Sequence, residues 1–150
     1  MPKTFETLSL RLQDAKRMLA AGEAKADQIG IPYNIAVVDA GGYLLAFSRR
    51  DGALIGSIDL AIQKAFTARI FDSTAVLTEL AQPGKPLYGI HGSNDGKIVI
   101  FGGGLPVRRK GIVIGAIGTS AGTVEQDIEV AEAAIGAIEP SIQSASVGVP

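Results

Sequence analysis

Apolar positions recur every three or four residues in three stretches of this chain and cluster or alternate between them. Leu8, Leu12, Ala15, Leu19, Gly22 and Ala26 form the first stripe, which predicts a helix from about Leu8 to Gln28, ended by Gly30 and Pro32. Ile58, Ala61, Ile62, Ala65 and Arg69 share one face of a second helix, from about Ile55 to Phe71. Asp72-Ser73-Thr74 breaks that helix and caps a short one reaching Leu80. Val124, Ile128, Ala131, Ile135 and Ile138 mark a final helix. Thr123 and Gln126 make a capping box at its start, each side chain satisfying the other's free amide.

Strand-like runs fill the intervals. Tyr33 to Asp39 and Tyr43 to Arg49 flank Ala40-Gly41-Gly42, the pattern of an antiparallel hairpin closed by a glycine turn. Lys97 to Phe101, Leu105 to Arg108 and Gly111 to Thr119 read as three more strands, the last two joined through Arg109-Lys110-Gly111. Glycines and prolines crowd the segment from Gln82 to Gly96 and predict a long irregular loop. The order helix, two strands, two helices, three strands, helix describes an α+β domain in which end helices cover an antiparallel sheet. Residues 1–139 are read as one domain. From residue 140 to 150 periodicity is lost, and that stretch is expected to be a flexible tail.

Composition narrows the function. Fourteen basic residues face 15 acidic ones among 150, and the basic runs are only Arg49-Arg50 and Arg108-Arg109-Lys110, so nucleic acid is not the expected partner. The chain has no cysteine, which removes disulfides, thiol nucleophiles, iron–sulfur clusters and cysteine zinc sites. Its start has no leader-like pattern and no apolar run approaches the length of a membrane span. A cytoplasmic protein with no membrane partner is the expectation. Hydrophobic residues make up 47% and mean hydropathy is +0.28, which with so little net charge points to surface covered by further subunits.

Candidate chemistry is sparse. Asp39 beside the glycine turn reads first as a turn-capping carboxylate. Arg50, next to Asp51-Gly52, offers a guanidinium fork for a carboxylate or phosphate. Lys64 lies near the apolar face of the second helix among small residues. Desolvated, it would be a base or an anchor for an acidic ligand, although an exposed helix lysine is commoner. His91, the single histidine, sits in the glycine-rich loop and is the candidate axial ligand to iron or another metal, against the plainer role of a surface residue. Gly102-Gly103-Gly104-Leu105-Pro106 after Phe101 either bends the sheet or lets a ligand approach the backbone. The run is no dinucleotide fingerprint, because a strand follows where a helix is required. Ser120, before the last helix, is an anion site or a plain cap.

Taken together, these motifs resemble the HbpS-like family, which includes the GlcG proteins and the PduO C-terminal domain. The resemblance runs from about Leu8 to Ile138. It is carried by Asp39-Ala40-Gly41-Gly42-Tyr43-Leu44, Arg49-Arg50-Asp51-Gly52-Ala53, Ala61 to Ala68, Phe101 to Pro106 and Gly115 to Ser120, with Asp127 and Ala131 in the last helix. Arg50 replaces a usual methionine and Ala121 a usual glycine. The resemblance implies a profilin-like α-β-α domain with a five-stranded antiparallel sheet, assembling into homo-oligomers from dimer to octamer. It further implies a small-molecule or cofactor-binding protein, with haem or a related tetrapyrrole as ligand and haem degradation as an associated activity. In that reading His91 ligates the metal, Lys64 and Arg50 pair with acidic groups, and Phe101, Gly102, Gly103, Gly104, Pro106 and Ser120 line the cofactor. The alternative is an enzyme acting on a small organic acid by proton transfer, isomerisation or hydrolysis, with Lys64 as acid or base and Arg50 as carboxylate clamp. A non-catalytic oligomer whose glycines serve only subunit packing is the third.

Overall fold

A computed structural model describes residues 3–140, so the tail expected at 140–150 lies almost wholly outside the described residues. The elements are α1 (Leu12–Ile29), β1 (Asn34–Asp39), β2 (Leu44–Arg49), α2 (Gly56–Ile70), α3 (Thr74–Leu80), two single 3-10 turns (Ile90–Gly92 and Asn94–Gly96), β3 (Gly104–Arg109), β4 (Ile112–Ser120) and α4 (Val124–Gly136). All strand pairs are antiparallel, in the order β2-β1-β4-β3.

Among the described residues the sheet therefore has four strands, not five. The expected strand at Lys97 to Phe101 is irregular chain whose hydrogen-bond partners are helices. Thr67 Oγ1 accepts from the Val99 amide at 3.0 Å, and Thr78 Oγ1 donates to the Ile100 carbonyl at 2.7 Å. Two threonine hydroxyls satisfy backbone groups that a neighbouring strand would otherwise pair, and buried backbone groups need some such partner. Alternation of apolar residues cannot distinguish these two partners.

The first helix also begins later than its apolar stripe. Leu10 donates its amide to the Ile114 carbonyl at 2.9 Å, which keeps the chain extended alongside β4 until Arg11 turns it into α1. The buried stripe is Ala15, Met18, Gly22 and Ala26, and Leu12 is half exposed. Gly30 closes the helix in the left-handed conformation at φ 83°, where glycine carries no Cβ penalty.

β1 is buried on both faces. Ile35 and Val37 join Met18, Val107, Ile117, Val130 and Ile138 beneath α1 and α4, whereas Ala36, Val38 and Ala116 meet Ala61, Ala65 and Ala68 of α2. Alternate side chains of a strand point to opposite faces, so the sandwich is helices, sheet, helix. The α2 side is built from alanine and glycine. A Cβ at Gly118 would overlap the Ala61 carbonyl oxygen and lie 2.5 Å from the Ala65 amide nitrogen, so the helix backbone rests directly on β4. The short helix is capped as expected, Ser73 accepting from the Val76 amide, and the Thr123/Gln126 capping box forms at α4.

Candidate functional site

Lys64 is the residue that close approach places. It lies three residues after Ala61 and four before Ala68, in the stripe that α2 buries, and only 1% of its side chain is exposed. Its ammonium passes the end of β3 and reaches α4 beyond the sheet. There Nζ donates to Asp127 Oδ2 at 2.7 Å and to the Thr119 carbonyl at 2.9 Å.

The passage exists because residue 103 has no side chain. A Cβ at Gly103 would lie 2.8 Å from Lys64 Nζ, 2.6 Å from the Thr119 carbonyl oxygen and 3.0 Å from Asp127 Cβ. Its φ of 120° is also one that side chains rarely adopt. Gly102 and Gly104 are equally enclosed. A Cβ at the first would meet Val124 Cγ1 at 2.7 Å, and at the second it would overlap the Lys64 carbonyl. The run expected to bend the sheet or face a ligand makes room for the chain's own helices.

Asp127 completes the site. Its Oδ1 accepts from the Ala121 and Gly122 amides at 3.2 and 3.0 Å, and the Thr119 hydroxyl donates to its carbonyl at 2.6 Å. Burial pushes the Lys64 ammonium below its ordinary pKa, against the upward pull of the Asp127 hydrogen bond and charge. Tyr33 lies against the same carboxylate. Its hydroxyl is buried without a hydrogen bond of normal geometry, and burial first, then Asp127, pushes the phenol up. The Phe101 ring covers the ammonium, with Nζ 5.1 Å from its centroid, a cation–π contact strengthened by exclusion of water. Phe101 itself is 40% exposed, so it is the face that the site shows to the surroundings.

Of the other expected residues, Ser120 borders this centre, between Thr119 and Ala121, and the rest stand apart from it. Arg50 binds α1, its NH2 group 2.6 Å from Asp27 and NH1 3.4 Å from Glu23, which makes its fork a clamp for the chain's own carboxylates. His91 is exposed on the first 3-10 turn and makes an edge contact with the Tyr88 ring at 6.5 Å. Pro106 lies in β3, an edge strand where a missing amide is tolerated. Ser120 is buried at the end of β4, opposite Asn34. Asp39 caps the hairpin as expected, its Oδ1 accepting from the Gly41 and Tyr43 amides. Among the described residues no group of three or more His, Asp or Glu side chains is placed to hold a metal, and no helix is long and apolar enough to cross a membrane.

Asp127, Thr119 and Tyr33 are members the candidate list lacked. A signal for Asp127 was present, since it follows Val124 by three residues and precedes Ala131 by four, inside the apolar stripe of its helix. A model of the haem-degrading HbpS-like proteins matches residues 10–136. The chain belongs to the HbpS-like family. An uncharacterized 15.0 kDa protein from the dhaT-dhaS intergenic region of Citrobacter freundii is 46% identical over 136 residues, covering 90% of this chain and 96% of that one. The corrinoid adenosyltransferase PduO of the same organism is 40% identical over 132 residues, 87% of this chain but only 39% of PduO. Among solved structures, a PduOC:heme complex superimposes with a TM-score of 0.83 at 40% identity, over 87% of this chain and 95% of that one. The HbpS-like chain described here thus corresponds to a minor part of the longer PduO protein.

Proposed function

We propose that this chain is a cofactor-binding member of the HbpS-like family whose ligand is haem or a closely related tetrapyrrole. The observation that carries the reading is its 40% identity, across nearly the whole domain, to the protein of the PduOC:heme complex. Binding, not breakdown of the ring, is the activity proposed.

The kinds of side chain that such a group needs are present, on separate elements of the chain. Haem needs a ligand for iron, apolar surface for its ring and cations for its propionates. His91 offers an exposed imidazole, and Phe101 an exposed aromatic face. Arg50, itself partly exposed, can exchange Asp27 for a propionate at small cost because ion pairs near the surface are weak. Lys64 keeps Asp127 and acts on the ligand only through Phe101. When bound, the iron supplies redox and small-ligand chemistry, while the chain orients the ring and neutralises its carboxylates. Assembly into homo-oligomers belongs to the same reading, since Phe5, Tyr43, Leu54 and Ile55 are more than half exposed and apolar.

Titration of the purified chain with haemin tests the reading. A saturable shift of the Soret band is expected, and His91→Ala is expected to lose it. Absence of any shift with the unaltered chain refutes haem binding, whereas an unchanged shift in His91→Ala removes only the histidine as ligand.

A further inference from the structure

Residues 3–9 precede α1 without helix or strand, and every one of them is exposed. The segment is attached only where it meets the domain. Ser9 Oγ accepts from the Ala40 amide at 3.0 Å, and Leu10 donates its amide to the Ile114 carbonyl at 2.9 Å. Among the described residues no hydrogen bond or ion pair holds residues 3–8. Yet the segment is not simply polar: Phe5 is 87% exposed and Leu8 43%. The HbpS-like match begins at residue 10, so this arm lies outside the shared pattern.

A groove of about 460 Å³ opens between the arm, the β1–β2 turn, Arg69 of α2 and the first residues of β4. Phe5 to Leu8 line one side and Ile112, itself 55% exposed, another. A wall cannot also be the filling, so the occupant of this groove is not the chain's own arm. Glu6 and Arg69 are the charged members of the lining, and neither forms an ion pair among the described residues. Arg69 donates through Nε to the Ala40 carbonyl, which orients the guanidinium and leaves its terminal nitrogens for an incoming carboxylate. Asp39 on the same turn is engaged by the Gly41 and Tyr43 amides. The groove thus offers an apolar floor and a free cation, and the arm carries an aromatic ring next to a free carboxylate.

We infer that residues 3–9 are an exchanged arm. Two copies of this chain pair across a two-fold axis, each seating its Phe5 in the other's groove against Ile112, with its Glu6 at the other's Arg69. A two-fold contact needs a patch that complements itself, and arm plus groove on one molecule is such a patch. Apolar side chains exposed beside a cavity of fitting size mark a contact surface. Each contact is made twice, which multiplies its effect on pairing. The inference rests on the homo-oligomer part of the proposed function and deepens it by naming the contact.

Sedimentation velocity of the full chain over a dilution series tests the contact. Phe5→Ser removes two buried rings from each pair of copies and is expected to raise the dissociation constant about a hundredfold. Glu6→Arg sets like charges face to face and is expected to weaken pairing about tenfold, and Glu6→Arg with Arg69→Glu to restore it. Because the chain has no cysteine, Phe5→Cys with Ile112→Cys reports the contact directly. On oxidation the disulfide is expected between chains, giving a covalent dimer on a denaturing gel, and this variant leaves Arg69 untouched should the charge swap fail to fold. A disulfide within one chain, or none, overturns the exchange. A dissociation constant unchanged by Phe5→Ser also overturns it and leaves assembly through other surfaces standing. If the unaltered chain is a monomer at every concentration, the exchange and the homo-oligomer reading fall together. Haemin titration, read separately, judges ligand binding.

Discussion

The two faces of the sheet are packed on different principles. Beneath α1 and α4, Met18, Ile35, Val37, Ile117, Val130 and Ile138 interdigitate, and apolar area removed from water supplies the stability. Beneath α2 the contact is Ala36, Ala61, Ala65, Ala68 and Ala116, with Gly104 and Gly118 touching the helix backbone itself. Alanine and glycine bury little side-chain area. Their value is proximity, which brings the Lys64 ammonium past the sheet end to Asp127. One face is held by volume and the other by close approach and a buried charge pair, so the two should fail differently.

Removing the charge from the close-packed face is expected to have the largest effect. Lys64→Met leaves Asp127 buried with no cation, and breaking such a pair from one side costs about 3–5 kcal/mol. The lower figure is expected, because Asp127 keeps the Ala121 and Gly122 amides. Lys64→Met combined with Asp127→Asn should recover more than half of the loss, since the amide oxygen can still accept from those two donors. Urea denaturation of the single and double variants measures both. A single variant as stable as the parent would mean that the pair is incidental to this face.

Steric tolerance sharpens the contrast next. Gly118→Ala places a methyl group against the Ala61 carbonyl, and a helix backbone cannot yield as a side chain can, so a loss of about 2–3 kcal/mol is expected. On the volume-packed face, Gly22→Ala crowds Ile35 Cδ1, at 2.9 Å, and makes ordinary contacts with Ala134 and Val130. The Ile35 methyl can rotate away, and alanine gains about 1 kcal/mol of helix propensity over glycine. The net change should be under about 1 kcal/mol. Equal losses in the two denaturation curves would erase the distinction between the faces.

The volume-packed face was the more legible from sequence. Branched aliphatic residues at three-four spacing announce α4, and its capping box is a local signal that formed as read. The close-packed face was harder to read, since alanine and glycine are consistent with helix, turn or bulge until their neighbours are known. Gly102 to Gly104 showed that something approaches the backbone but not that it was Lys64. The position of Asp127 inside the apolar stripe of its helix was visible, whereas Lys64 read as lying beside its stripe and is buried because the helix rests so close to the sheet. Their pairing, 63 residues apart in sequence, depends on how the helices pack and is written in neither. The Lys97 to Phe101 segment misled for a related reason: a run suited to a strand found threonine hydroxyls on two helices as partners.

Tyr33 offers the finest test, because it carries the volume-packed face up to the ion pair. Its phenol is ordinarily half-ionised at pH 10.0, and burial holds the native group above that value. Above pH 10 the unfolded chain therefore releases a proton that the folded chain retains. Stability supplied by this group is complete below pH 10 and declines as the pH rises further, by about 1.4 kcal/mol at one unit above the unfolded value. Tyr33→Phe removes that term. Denaturation midpoints of the parent and the variant, followed from pH 8 to pH 11, should run parallel at first and then converge or cross as the parent alone loses this contribution. Parallel curves throughout would place the Tyr33 hydroxyl in water in the folded state and separate it from the Asp127 carboxylate.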